Sequence, residues 1–349
     1  MTLGKEKIRF LNLPTPIDRM DRISEDLNIN FYLKRDDLTN FGTGGNKLRK
    51  LEYFIKDALD KKATMLLTVG GAQTNHGRLT AAVASKYGLR SAIVAVDPYP
   101  GEISANLLLD GIMGCHVYLV KNDGTRKASE LQEEAVARVT EEWTAKGENV
   151  YYIPMGGSNE LGALGYYDCA VEIDRQVRDM GLKNVHLVST VGSMGTYVGL
   201  QTAIANEPLD MKLTGITIMP YSSDPAKKEQ AAKEYAASYY ERVRAAYDLS
   251  ARLSPEDFDI NAGYDYGAYN NPVRDVREAI YYMGQKEGII LDPCYTGKTF
   301  NAIRDLAKKG AFDPDETIVM LHTGGIPGIY TKFHRVEMEK ELEGYIHII

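Results

Sequence analysis

One lysine in this chain stands where covalent chemistry with a carbonyl is possible. Residues 42–54 read GTGGNKLRKLEYF. A glycine-rich turn delivers Lys47 to the start of a helix, and Leu48, Leu51, Ile55 and Leu59 follow at spacings of three and four, so the helix has one apolar face. The helix dipole disfavours a positive charge at that end and favours the amine form of the lysine. A neutral amine condenses with a carbonyl to a Schiff base. Taken alone, the stretch reads more readily as a surface lysine after a flexible turn.

Further glycine-rich segments follow short apolar runs, and ligands of open parallel sheets sit beyond the C-terminal ends of the strands. GGAQTNHGR (70–78) follows ATMLLTV, and its Thr74, Asn75 and His76 place donors at a helix N-terminus, suited to a carboxylate or a phenolate oxygen. VGSMGTYVGL (191–200) follows HLVST, and Gly192, Ser193, Gly195 and Thr196 surround a turn whose free N–H groups and hydroxyls form a phosphate cradle. It has neither a GK[ST] ending nor a GxGxxG fingerprint, so it suits a single phosphate rather than a dinucleotide. MGGSNELGALGY (155–166) follows VYYIP, and TGGIPG (323–328) follows TIVMLH. Tyr266 in GYDYGAYNN and Tyr295 in LDPCYTGK lie in polar, glycine-containing surroundings; each alone reads also as a half-buried structural tyrosine. Together these features call for a small phosphorylated aldehyde held by a phosphate cradle and bound covalently to a lysine. Pyridoxal phosphate meets that description.

The elements that position these loops follow from the apolar pattern. Strands are expected at 63–69, 91–96, 115–120, 150–154, 186–190, 213–219 and 317–322. Helices are expected at 78–89, 105–114, 127–147, 161–180, 196–206, 272–288 and 296–310. The alternation predicts an α/β fold with parallel sheets and right-handed crossovers. Residues 222–262 break the rhythm, and their dense charge reads as a solvated helical pair. The 349 residues suffice for two lobes, and 44% apolar with 26% charged residues is the balance of a globular protein. With 41 basic and 48 acidic residues the formal charge is −7, which gives nucleic acid no basic face to bind. Tyrosines outnumber phenylalanines 23 to 8, so many rings carry a hydroxyl that can serve a polar pocket. Cys115, Cys169 and Cys294 have no metal-ligand spacing and no even pairing, which favours a reducing compartment. The N-terminus lacks the apolar core of a signal peptide and no run is long enough to cross a bilayer, so a cytoplasmic protein is expected.

The stretches KRDDLTNFGTGGNKLRKLEY, GGAQTNHGRLTAAVA, IPMGGSNELGALGY, GSMGTYVGL, GIILDPCYTGK and LHTGG resemble, in order from about residue 34 to 325, the D-cysteine desulfhydrase and 1-aminocyclopropane-1-carboxylate deaminase family of fold type II, tryptophan-synthase-β-like pyridoxal-phosphate enzymes. The resemblance implies two open twisted parallel-sheet lobes with the cofactor in the cleft, a small one at 48–160 and a large one at 1–47 and 161–349, and a homodimer. It implies that Lys47 is the Schiff-base lysine and that Asn75 bonds the cofactor's phenolic oxygen. Thr74, Asn75 and His76 match the segment that grips the substrate carboxylate, and Gly192, Ser193, Gly195 and Thr196 match the phosphate loop. Tyr266 and Tyr295 match two active-site tyrosines, and Thr296 and Thr323 fall near the pyridine nitrogen.

The chain departs from the family pattern at Thr74, usually serine, whose extra methyl narrows the pocket, and at Met194, usually glycine. Thr296 stands where the ring-opening deaminases carry glutamate. A hydroxyl there supports a weaker electron sink, and His76 agrees with the desulfhydrase side. The expectation is therefore β-elimination: Lys47 removes the α-proton, Tyr266 or Tyr295 serves the leaving group, and D-cysteine gives pyruvate, ammonia and hydrogen sulfide. An L-cysteate sulfo-lyase, the ring-opening deaminase and a non-catalytic cofactor- or amino-acid-binding protein are the alternatives. No metal is expected.

Overall fold

The computed structural model describes residues 2–122 and 124–349. In chain order the elements are β1 (Ile17–Arg19), α1 (Asp21–Leu27), β2 (Asn30–Lys34), α2 (Lys47–Asp60), β3 (Met65–Gly70), α3 (Asn75–Lys86), β4 (Arg90–Ala95), α4 (Ala105–Ile112), β5 (His116–Leu119), α5 (Ala128–Ala145) and β6 (Val150–Ile153). There follow α6 (Glu160–Asp179), β7 (Val185–Val191), α7 (Gly195–Asn206), β8 (Met211–Thr217), α8 (Lys228–Tyr247), β9 (Ile260–Asn261), α9 (Arg274–Glu287), α10 (Thr296–Lys308), β10 (Thr317–Leu321) and α11 (Lys332–Leu342). The strands form a six-stranded sheet, β1-β2-β10-β7-β8-β9, and a four-stranded sheet, β5-β4-β3-β6. Among the strand pairs of the described residues only the β1–β2 edge pair is antiparallel. The expected α/β class is present, with helices flanking both sheets.

The continuous apolar runs are explained by sheets buried on both faces. In β10, Val319 and Leu321 enter a core shared with α6, α7 and α8, while Ile318 and Met320 enter a second core against α9 and α10. In the smaller sheet Leu66 and Ile153 meet α2 and α3, and Leu67, Val69, Ala92 and Val94 meet Val139 and Trp143 of α5.

Residues 222–262 are not a helical pair. They hold one long helix, α8, then a 3-10 turn at Pro255–Asp257 and the short strand β9. α8 buries Ala232, Ala236, Tyr239, Tyr240 and Val243, a stripe at helical spacing that the surrounding lysines and glutamates disguise. Among the described residues no helix is long and apolar enough to cross a membrane. The three cysteines are free and buried.

Helix α2 is buried on more than its apolar side. Leu48, Leu51 and Ile55 are inaccessible, as expected, yet so are Arg49, Lys50 and Glu52. Arg49 pairs with Asp36 at 2.8 Å and with Glu172 of α6 at 2.8 Å, Lys34 of β2 also reaches Glu172, and the Tyr166 hydroxyl donates to Asp36. The KRDD stretch thus builds an ionic lattice that fastens α2 to the six-stranded sheet. Other tyrosine hydroxyls brace the fold on carboxylates in the same manner, as Tyr53 does on Asp168 and Tyr167 on Glu207.

Candidate active site

The C-terminal ends of β3, β7 and β10 and the starts of α2, α3 and α7 converge on a cavity of about 330 Å3. Lys47, Thr74, Asn75, His76, Gly192, Ser193, Thr196, Tyr295 and Thr323 all line it.

Lys47 is the first residue of α2. The preceding turn needs its glycines: Gly44 and Gly45 have φ of 70° and 135°, and a Cβ on Gly44 would stand 2.1 Å from the Asp37 carbonyl oxygen. The Arg78 guanidinium donates to the carbonyls of Gly42 and Gly44 and to the Thr43 hydroxyl, which fixes the turn. The Lys47 amine has no hydrogen-bond or ion-pair partner among the described residues, and burial lowers its pKa from 10.5 to about 8. Desolvation of the amine is the cause.

At the start of α3, the Thr74 hydroxyl accepts from the Gly77 N–H as a helix cap, and its methyl is accommodated between Gly70 and Gly77. The Asn75 Oδ1 accepts from Asn106 at 3.0 Å and from Arg78 at 3.4 Å, which leaves the Nδ2 donors for the cavity. His76 is buried, with Nε2 2.9 Å from the Thr68 hydroxyl, which itself donates to the Ile153 carbonyl. Because that hydroxyl has one proton, Nε2 carries the ring's hydrogen and Nδ1 is a bare acceptor without a partner. Burial, with Lys47 and Lys50 nearby, holds the imidazole pKa well below 6.5. A neutral ring with a lone pair does not hold a carboxylate, so only the main-chain N–H of His76 suits that task.

The phosphate-type cradle lies at the start of α7. Ser193 and Ser158 share a hydrogen bond of 2.8 Å, and Asn46 donates to Thr196 at 3.0 Å. The Gly195 N–H is already taken by the Ser193 carbonyl. Gly195 serves instead through its missing side chain: a Cβ there would stand 2.5 Å from the Ser158 hydroxyl and 2.8 Å from the Lys50 ammonium. Met194 holds φ of 68°, the left-handed conformation that a glycine adopts freely, with its side chain buried in the core beneath. Lys50, behind the cavity wall and against Gly156 and Gly195, was passed over by the motif reading, although its spacing of three from Lys47 puts both on one helix face. It is wholly buried, and among the described residues its ammonium meets only the Gly156 carbonyl at 3.1 Å and the Ser158 hydroxyl at 3.5 Å, with no carboxylate. Burial and the neighbouring Lys47 push its pKa well below 10.5. An anion is what such a cation lacks. The glycine cradle, the buried lysine and the partnerless Lys47 amine together fit a phosphorylated aldehyde.

On the facing wall the structure corrects the choice of tyrosine. Tyr269, not Tyr266, lines the cavity, and its hydroxyl bonds to that of Tyr295, the two rings meeting edge to face at 5.7 Å. Desolvation of the hydroxyls at the cavity wall raises the pKa of both, although part of the Tyr269 side chain is exposed, so the pair is protonated and can donate. Tyr266 packs against the core behind the wall, with its ring near the Lys298 ammonium and its hydroxyl tied to Asn301. Three tyrosines within six residues of an irregular loop gave the sequence no period from which to choose. Thr296 also lies outside the cavity wall. Its hydroxyl donates to the Asp292 carboxylate at 2.7 Å and accepts from the Asp292 N–H at 2.9 Å. Among the described residues no group of His, Cys, Asp and Glu side chains could hold a metal.

Comparison with known proteins agrees with this chemistry. Residues 8–324 match the family model described as pyridoxal-phosphate dependent enzyme. A D-cysteine desulfhydrase of Salmonella typhimurium is 34% identical over 330 residues, 93% of this chain and 95% of the relative. A 1-aminocyclopropane-1-carboxylate deaminase of Methylobacterium sp. is 34% identical over 325 residues, 90% of this chain and 93% of the relative. A crystal structure of a homologue of the latter enzyme superposes with a TM-score of 0.83 at 31% identity, covering 98% of this chain and 97% of that one. The chain belongs to the pyridoxal-phosphate dependent enzymes, in the family of D-cysteine desulfhydrases and 1-aminocyclopropane-1-carboxylate deaminases, and pyridoxal phosphate is its cofactor.

Proposed function

We propose that this enzyme is a carbon–sulfur lyase that converts D-cysteine to pyruvate, ammonia and hydrogen sulfide. The observation that carries the reading is a partnerless, desolvated Lys47 amine sharing one small cavity with the hydrogen-bonded Tyr269–Tyr295 pair. Pyridoxal phosphate, when bound, supplies the electron sink for the α-carbanion. Lys50, Ser193, Thr196 and the main-chain N–H groups of the turn that follows Gly192, other than that of Gly195, hold its phosphate, and the Asn75 Nδ2 donates to its phenolic oxygen. The N–H groups of Asn75 and His76 at the start of α3 bind the substrate carboxylate, with Thr74 capping the turn. The Lys47 amine takes the proton from the α-carbon. As the bond from the β-carbon to sulfur breaks, the sulfur keeps the electron pair and receives a proton from the tyrosine pair. Water then completes release of the keto acid and ammonia. Thr323 closes the wall near Lys47, and Thr296 acts through Asp292 at the start of α10.

The absence of a carboxylate at position 296 supports elimination over ring opening. Against L-cysteate stands the charge of the wall: its cations are Lys47 and Arg78, and Arg78 is spent on the 42–44 turn. Strands β3 to β6 all fall within 48–160 and the remainder outside, which supports lobes of 48–160 and of 1–47 with 161–349. A cytoplasmic homodimer completes the reading, and the free cysteines suit a reducing compartment. Purified enzyme loaded with cofactor and offered D-cysteine, L-cysteine, L-cysteate and 1-aminocyclopropane-1-carboxylate tests it. Sulfide and pyruvate should form from D-cysteine. Turnover confined to the cyclopropane amino acid refutes it.

A further inference from the structure

Lys298 is fully buried two residues into α10 and has no carboxylate within ion-pair distance among the described residues. Its ammonium instead donates to three carbonyls at short range, Ile218 at 2.8 Å, Asp265 at 2.9 Å and Ala268 at 2.7 Å, and reaches a fourth, Tyr269, at 3.4 Å. Three close acceptors match the three protons of an ammonium, so the hydrogen bonds of the buried charge all go to main-chain oxygens. The choice of carbonyls is what matters. Those of Ala268 and Tyr269 flank the α-carbon of Tyr269. The carbonyl of Ile218 precedes Met219, which lines the cavity. Tyr295 lies three residues before Lys298 at the start of the same helix. One side chain therefore references both cavity tyrosines and the end of β8 to a single point.

The loop has little else to hold its centre. Residues 262–273 form no regular element, and Tyr269 is 43% exposed. Its other ties lie to either side: Tyr264 and Tyr266 pack on the core and bond Asp305 and Asn301, Asp265 pairs with Lys228, and Asn270 and Asn271 bond His334 and the Tyr266 carbonyl. Among the described residues only the Cys294 thiol joins Lys298 at the Tyr269 carbonyl.

We propose that Lys298 is a positioning residue that sets the Tyr269 hydroxyl against that of Tyr295, an inference that rests on the reading of Tyr269 as the tyrosine facing the substrate. The test is a double-mutant cycle of Lys298→Met with Tyr269→Phe, followed by pyruvate formation from D-cysteine and, in a second arm, by keto-acid formation from 1-aminocyclopropane-1-carboxylate. Misplacing a catalytic hydroxyl by an ångström costs up to about a hundredfold, so each single variant should lose roughly ten- to a hundredfold in kcat/KM. The double variant should be no worse than the poorer single. If the two losses multiply, Lys298 acts independently of Tyr269 and the proposal fails. If Tyr269→Phe alone changes nothing, the reading of Tyr269 fails instead. Should Lys298→Met not fold, Lys298→Gln keeps two donors for the same cycle. Amide hydrogen exchange of the cofactor-free protein gives a readout without turnover. Lys298→Gln should speed exchange at 265–271 and leave the second half of α10 protected, and unchanged exchange at 265–271 overturns the clasp.

Discussion

Replacing Lys47 with methionine should stabilise the cofactor-free protein while abolishing turnover. Burial lowers the Lys47 pKa from 10.5 to about 8, so the fold disfavours the ammonium relative to the unfolded chain. Each tenfold change in proton affinity is worth about 1.4 kcal/mol, so the penalty approaches about 3 kcal/mol at neutral pH. Between pH 8 and 10.5 the unfolded chain binds the proton and the folded one does not, so wild-type stability rises with pH across that window. Below about pH 8 the full penalty is present, and above 10.5 it is gone. Methionine fills much the same volume without a charge to desolvate. Denaturant unfolding of the two cofactor-free proteins should show Lys47→Met ahead by about 2–3 kcal/mol at pH 7 and nearly level near pH 10.5. The lysine form must be stripped of cofactor first, because ligand binding adds stability of its own. A methionine variant no more stable than wild type at pH 7, or an advantage that does not shrink with rising pH, refutes the argument.

Three other outcomes are expected. Tyr269→Phe should lower kcat/KM by roughly tenfold or more, whereas Tyr266→Phe, which alters only the bond to Asn301, should stay near wild type; steady-state kinetics on D-cysteine distinguish them. Met194→Gly relieves about 1 kcal/mol of left-handed strain but empties a buried site worth about 2–5 kcal/mol, so denaturant unfolding should show a net loss. Arg49→Met should destabilise by about 3–5 kcal/mol, because Asp36 is left buried without its cation, and thermal unfolding should report it.

The sequence disclosed elements whose side chains repeat with a regular period and hid those held by distant partners. The runs from Met65 to Thr217 alternate apolar strands with crossover helices, and every one of those strands appears, because parallel sheets bury both faces and leave little room for ambiguity. The strands β1 and β2 were not read, since three residues at an antiparallel edge and NFYLK, with its buried lysine, carry no such run. The second face of α2 was illegible for the same reason. Arg49 and Glu52 look like a solvated face until Asp36, Glu172 and Lys7 are brought to them across the fold. In the site, the glycine turns and Lys47 were readable because their chemistry is local. Tyr269 was not, because what selects it among three neighbours is a lysine twenty-nine residues away in sequence.

The ionic lattice beneath α2 has one more consequence. The reactive lysine and the ionic buttress that ties α2 to the six-stranded sheet share the first turn of one helix, with Lys47 and Arg49 two residues apart on different faces. Evolution or engineering therefore cannot adjust reactivity and rigidity here as independent traits: a change that slackens the buttress also swings the nucleophile, and a change that reseats the nucleophile strains the buttress.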